Sequence, residues 1–258
     1  MSKTVNLPGG TPLPLIGFGT WQLGPETAYE SVRAALEIGY RHVDTATLYQ
    51  NESDVGRAVK DSGLDREQVF VTTKLRPQDA RHARRTLESS LRLLGTGYVD
   101  LWLIHWPTGR NELVSTWQEL LSAKEAGLVR NVGVSNYSPA QIDLLTEATG
   151  QRPAVNQIPW SPAQHDPALL KEHRDRGVVV EGYSGLKNTD LHDPVLTELA
   201  ERHGVTPAQV VLRWHLEHDI VILPRSARRE RIAANFDLEG FDLTTEDVIA
   251  IDALTRTG

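Results

Sequence analysis

Apolar residues recur along this chain in two alternating rhythms. Short extended runs at 16–19, 42–45, 69–74, 99–105, 131–135, 154–157, 178–181 and 220–223 read as β-strands. Between them, apolar residues return at helical spacing. Ala28, Val32, Ala35 and Leu36 do so, as do Ala83, Leu87, Leu91 and Leu94, and Leu113, Trp117, Leu120 and Leu121. Strand and helix in alternation predict parallel βα units, and eight strands predict an α/β fold of the (β/α)8 TIM barrel type. Residues 4–7 and 13–16, joined by Pro8-Gly9-Gly10-Thr11-Pro12, predict a β-hairpin ahead of the barrel. Ser138-Pro139-Ala140-Gln141 and Thr206-Pro207-Ala208-Gln209 each offer a hydroxyl cap, a first-turn proline and a glutamine three residues on, the signature of a helix start.

The length of 258 residues suits one barrel domain over 1–258, with no linker or composition break. A doubly wound dinucleotide fold is the rival, but Gly17-Phe18-Gly19-Thr20-Trp21-Gln22 lacks the third glycine of that fingerprint. The net charge of −7 argues against a general nucleic-acid binder. With no cysteine there is no disulfide frame and no thiolate chemistry. The opening residues lack the apolar core of a signal peptide, and no apolar run approaches the ~20 residues that span a bilayer. A soluble cytoplasmic protein is expected.

Strand ends carry the chemistry. Asp44, Lys74 and His105 close the second, third and fourth barrel strands, and Tyr49 follows Asp44 in the adjoining loop. In a parallel barrel all these ends face one way, so the four converge on one pocket. Alternation along 99–105 points His105 inward with Leu103 and Leu101, and Lys74 shares a face with Thr72 and Phe70. An unpaired buried ammonium costs several kcal/mol, which makes Asp44 the natural counter-charge. Lys74 beside Tyr49 is expected to push the phenol toward its ionised form. A phenol, an ammonium, a carboxylate and an imidazole form a proton-donating site, with Tyr49 as general acid and His105 bonding the same substrate oxygen. They suit neither a metal site nor a nucleophile.

Such a site reduces a carbonyl if a cofactor brings the hydride. After the eighth strand, Arg225, Arg228, Arg229 and Arg231 crowd seven residues at the start of a helix, a place that attracts phosphate. Forked guanidinium groups suit a phosphate monoester better than a ribose diol, so NADPH is favoured over NADH. Ser135, Asn136 and Gln157 are placed to bond the nicotinamide carboxamide, Tyr183 to stack on its ring, and Ser184 to lie near the pyrophosphate.

Five motifs in order resemble the aldo-keto reductases. They are Ile16-Gly17-Phe18-Gly19-Thr20-Trp21, Gly39-Tyr40-Arg41-His42-Val43-Asp44-Thr45-Ala46, Leu103-Ile104-His105-Trp106-Pro107, Gly133-Val134-Ser135-Asn136-Tyr137 and residues 224–235. Through Val155-Asn156-Gln157 and residues 206–216 the chain looks closest to the bacterial 2,5-diketo-D-gluconate reductase-like branch. The resemblance implies the catalytic tetrad Asp44, Tyr49, Lys74 and His105. It further implies cofactor contacts at Gly19, Thr20, Trp21, Ser135, Asn136, Gln157, Tyr183, Ser184, Leu186, Arg225, Ser226, Arg231 and Asn235. Ordered binding of NADPH and a monomer are also implied. Arg225 stands where lysine is usual, Ala234 where glutamate is, and Gly185 replaces the proline of Tyr-Ser-Pro-Leu. Pro159-Trp160-Ser161-Pro162 stands where Glu-x-His-Pro is common. The chain ending soon after Leu254, together with the short stretch 107–111, predicts an open pocket. Trp21, Leu48, His105, Trp106 and Trp160 would line it for small aldehydes, dicarbonyls or keto sugars.

Two rivals remain. A cofactor-sensing binding subunit with weak turnover would keep the nucleotide site without needing the tetrad. A barrel glycosidase would need two strand-end carboxylates, for which only Asp44 and Glu181 qualify.

Overall fold

A computed structural model describes residues 3–255; Met1, Ser2 and residues 256–258, which the signal-peptide and chain-end readings include, lie outside the described residues. The expected hairpin is β1 (Thr4–Asn6) against β2 (Pro12–Pro14), antiparallel with Val5 opposite Leu13. The eight barrel strands follow as β3 (Phe18–Gly19), β4 (His42–Asp44), β5 (Phe70–Leu75), β6 (Val99–Ile104), β7 (Val129–Ser135), β8 (Val155–Pro159), β9 (Val179–Tyr183) and β10 (Val221–Ile222). Each pairs in parallel with its successor, in the order β3 to β10.

Hydrogen bonds from Gly17 N to Ile222 O (2.8 Å), from Ile222 N to Leu15 O (2.8 Å) and from Gly19 N to Pro224 O (3.1 Å) join the last strand to the first. The seam explains the glycines there. A Cβ on Gly19 would stand 2.9 Å from the Leu223 carbonyl, and one on Gly17 would strike the His42 ring.

The strands bury both faces, as parallel barrel strands do. All six residues of β5 are buried, including Lys74. The outward face packs under helices such as Pro25–Ile38, Ala83–Leu94 and Leu113–Glu125, where Ala28, Val32, Leu87, Trp117 and Leu120 have no exposed surface. Both anticipated helix starts are capping boxes, with Ser138 and Thr206 accepting from the amides of Gln141 and Gln209. Trp214 and His218 both donate to Asp252 Oδ1, at 2.7 and 2.8 Å, and so latch helix Thr245–Asp252 to helix Pro207–Glu217 and the residue that ends it. Among the described residues no helix is long and apolar enough to cross a membrane.

Helix Glu52–Asp61 follows the Tyr49 loop and meets the end of helix Ala83–Leu94 through Gly56, where a Cβ would collide with the Leu94 backbone. Alanine ordinarily favours a helix over glycine, yet here neither backbone can yield. Gly56→Ala is expected to lower unfolding free energy by about 1–3 kcal/mol, measured by urea denaturation.

Candidate active site

At the carboxyl ends of the strands the barrel opens into a cavity of about 720 Å³. Lys74 lies beneath it, on β5, with no exposed surface. Its Nζ donates to Asp44 Oδ1 at 2.6 Å, to the Thr45 carbonyl at 2.9 Å and to the Tyr49 hydroxyl at 3.3 Å. All three ammonium hydrogens are therefore used. Burial is the largest influence and works to lower the Lys74 pKa, but the Asp44 charge and hydrogen bond, with Tyr49 and Glu181, together outweigh it; the net shift is upward and the ammonium stays charged.

Asp44 is gripped from the other side by Gln157, whose Nε2 reaches Oδ2 at 3.0 Å from β8, across the barrel. The same nitrogen donates to Glu181 Oε2 at 2.7 Å. Register sets this arrangement, because Ser135 pairs with Gln157 and Gln157 with Glu181, so the three form one row across β7, β8 and β9.

Tyr49 ends a short 3-10 turn, Thr47–Tyr49, tied to β5 by Thr47 Oγ1 donating to the Lys74 carbonyl at 3.0 Å. Behind it Asn51, fully buried, accepts from Thr45 Oγ1 at 2.8 Å and donates to the carbonyls of Thr20 and Leu23 at 3.0 and 3.1 Å. Asn51 thus binds the loop after β3 to the one carrying Tyr49. Sequence reading had passed it over; an amide beside a helix start was its only signal. The expected acidification of Tyr49 is not found. Burial raises its pKa, and the nearby Lys74 charge only partly offsets that.

His105 follows β6, stacks on Trp106 at 3.9 Å and meets Tyr49 edge-on at 5.7 Å between ring centroids. Burial first, then the Lys74 charge, lowers its pKa to about 3, so the imidazole is neutral. Its Nδ1 is enclosed without a partner, which leaves Nε2 as the ring nitrogen able to serve a molecule in the cavity.

The cavity wall includes Gly19, Trp21, Leu48, Trp106, Ser135, Asn136, Gln157, Tyr183, Ser184, Leu186 and Arg225. Ser135 Oγ donates to the Gln157 carbonyl at 2.8 Å, and Tyr183 donates to Asn136 Oδ1 at 2.8 Å. Gln22, Asn136 and Ser184 hold φ at +62°, +64° and +59°, a region few side chains adopt, so three wall positions carry backbone strain.

Several anticipated residues lie elsewhere. Thr20 turns its hydroxyl to the Asp44 carbonyl at 2.9 Å, away from the cavity. Trp160 is not on the wall. β8 continues through Pro159, so Gln157 and Pro159 face the cavity while Trp160 turns outward and packs in a buried cluster with Leu170 and Trp214. Ser226, Arg231 and Asn235 lie beyond the wall; Ser226 Oγ accepts from the Arg228 amide, Arg231 is exposed and Asn235 is buried on helix Arg229–Phe236. Arg229 pairs with Glu37 at 2.8 Å. The Gly185 departure has a steric basis, since a Cβ there would stand 2.9 Å from the His215 ring.

The structure thus gathers a lysine, an aspartate, a tyrosine and a histidine at the carboxyl end of a parallel barrel. The Aldo/keto reductase family model matches residues 15–256, and the chain belongs to that family. It is 37% identical to methylglyoxal reductase DkgA of Yersinia pestis, over 98% of this chain and 93% of that protein. An aldo/keto reductase structure from Brucella melitensis superposes with a TM-score of 0.95 at 38% identity, covering 98% of this chain and all of that one. The Bombyx mori aldo-keto reductase in complex with NADP gives a TM-score of 0.92 at 32% identity, over 98% and 93% of the two chains.

Lys74→Met strands the buried Asp44 charge and is expected to cost about 3–5 kcal/mol of stability. Adding Asp44→Asn is expected to return part of that loss, as a double-mutant cycle by chemical denaturation will read.

Proposed function

We propose that this chain reduces small aldehydes, α-dicarbonyls, ketones or keto sugars to alcohols with NADPH, Tyr49 acting as general acid. The observation that carries the proposal is the Tyr49 hydroxyl, bonded to a charged Lys74 and set beside a neutral His105 at the cavity. When bound, reduced nicotinamide supplies the hydride. The residues present fit such a group. Ser135, Asn136 and Gln157 offer polar atoms for the carboxamide, Tyr183 a ring face, and Ser184 and Leu186 a loop for the pyrophosphate. Exposed Arg225 and Arg231, with Ser226, flank the uncapped start of helix Arg229–Phe236, where an adenosine phosphate is the matching ligand, and Asn235 lies at the helix's other end.

Trp21, Leu48 and Trp106, each about two-fifths exposed, give the mouth flat apolar faces for a small carbonyl compound. His105 Nε2 orients the carbonyl oxygen, and Tyr49 transfers its proton to that oxygen as negative charge develops there. The phenolate left behind is held by the Lys74 ammonium. The motifs favour the 2,5-diketo-D-gluconate reductase-like branch, and the Yersinia pestis relative is named as a methylglyoxal reductase. We place the chain among cytoplasmic, monomeric reductases, one barrel domain over 1–258.

Loss of NADPH absorbance with methylglyoxal tests the reading. Tyr49→Phe is expected to cut kcat by about 10²–10⁴-fold, and turnover that survives the change would remove the general-acid mechanism. Because burial raises the Tyr49 pKa above its ordinary value, the acid is protonated through neutral pH. The reduction rate should therefore hold there and fall only at strongly alkaline pH, as a kcat profile will show. Arg225→Ala should weaken NADPH far more than NADH; equal loss would refute the 2′-phosphate assignment.

A further inference from the structure

Glu181 sits fully buried on β9, and no step of the general-acid mechanism uses it. Its Oε2 accepts from Gln157 Nε2 at 2.7 Å, while Oε1 has no hydrogen-bond partner and lies 3.6 Å from His42 Nε2. The Gln157 amide is thereby wedged between two carboxyl groups, Asp44 and Glu181. Only the nitrogen end of an amide can face two acceptors, so both its hydrogens are taken and its oxygen is turned the other way. The linked side chains run from Glu181 through Gln157, Asp44 and Lys74 to Tyr49.

We propose that Glu181 is a positioning residue of the active site: it grips the Gln157 amide by its nitrogen and leaves the amide oxygen as an acceptor for the nicotinamide carboxamide. This rests on the nicotinamide reading above and adds a residue to it. Turned over, the amide would set its oxygen against Asp44 and offer the carboxamide a donor in place of an acceptor.

A second consequence follows from the count of charges. Glu181 is faced by His42 and Asp44 from β4, Lys74 from β5 and Gln157 from β8, while its β10 neighbour Val221 is apolar. His42 is held neutral by burial, its pKa near 3. One ammonium thus stands against two carboxyl groups, and Asp44 holds it directly at 2.6 Å. Burial, then the Asp44 charge, pushes Glu181 up to about 8, with Gln157 and Lys74 opposing. Glu181 is therefore the carboxyl that keeps its proton at neutral pH, carried on the unpartnered Oε1, so that Oε2 still accepts from Gln157. As pH rises through that value a negative charge appears beneath the cofactor seat. It favours the oxidised pyridinium ring, which is cationic, over the neutral reduced ring.

In the folded protein the proton is held well above the ordinary glutamate range. Glu181 therefore contributes stability that is fully present below about pH 4.5 and declines as pH rises toward about 8, opposite in sign to the buried neutral His42 and His105, which disfavour acid. Glu181→Gln removes that decline.

The test measures NADP+ and NADPH dissociation constants by quenching of tryptophan fluorescence, at about pH 7 and about pH 9, alongside melting temperatures without nucleotide. Glu181→Ala is expected to weaken both nucleotides about tenfold, with Glu181→Gln restoring them to within about threefold, because its amide oxygen still accepts from Gln157. Wild type should shift about threefold or more toward NADP+ between the two pH values, and Glu181→Gln should show no such shift. An infrared carboxylic-acid band in nucleotide-free wild type at neutral pH, missing from Glu181→Gln, is the reading that needs no ligand. Wild-type nucleotide affinity in a folded Glu181→Ala protein overturns the positioning role. An unchanged pH shift in Glu181→Gln, or no such band, overturns the proton assignment. If wild type binds neither nucleotide, the reductase reading fails with it, an outcome distinct from binding that is indifferent to residue 181.

Discussion

The contact between the Lys74 ammonium and Asp44, 2.6 Å long and closed to solvent, is the constraint on which the barrel mouth depends. An ammonium withdrawn from water is tolerable only when each hydrogen finds a partner and a full counter-charge is near. Both conditions hold: Asp44, the Thr45 carbonyl and the Tyr49 hydroxyl take the three hydrogens. The same requirement fixes everything around it. Asp44 cannot turn without releasing Gln157, and Tyr49 cannot swing outward without leaving an ammonium hydrogen unmet. A pair of this kind adds little to stability against an apolar substitute, but breaking it is costly. Its value lies in geometry.

Loops around the cavity are stiffened in a different way. Asn51 spends its side-chain amide on three other residues, joining the segment after β3 to the one bearing Tyr49. Asn136 and Ser184 keep left-handed backbones, and Asn136 is further held by Tyr183 and by its own bond to the His105 carbonyl at 3.1 Å. Two basic side chains stand at the mouth: Lys187, lying over the Trp21 ring at 5.0 Å, and Arg225 both line the cavity in a chain whose net charge is negative. Their charges suit an anionic ligand entering from solvent.

What could be read from sequence followed strand logic. Asp44, Lys74 and His105 were legible because alternation and strand ends determine where a side chain points once the barrel is assumed. Trp160 was misplaced because β8 runs two residues past Gln157 to Pro159, which keeps Pro159 on the inward face and turns Trp160, three residues after Gln157, to the other. Thr20 failed similarly, its hydroxyl serving a backbone carbonyl that sequence cannot locate. Glu181 was noticed only as half of a glycosidase pair. Its link to Asp44 passes through Gln157, a contact across 113 residues that no local pattern encodes. The Tyr49 acidity was misjudged for a related reason: a neighbouring cation is visible in a motif, whereas enclosure is a property of the finished fold.

That misjudgment changes what Lys74 contributes. A buried phenol is a weaker acid than one in water, so the ammonium does not make Tyr49 a strong donor in the resting site. Without a cation, burial would raise the phenol further, and a phenolate formed during proton transfer would have no counter-charge. Lys74 limits that rise. It also stands ready for the moment when the phenol oxygen becomes negative, in surroundings where Coulomb attraction is poorly screened. The interaction therefore grows as the proton leaves, which is the condition for lowering a barrier and not merely tightening a ground state.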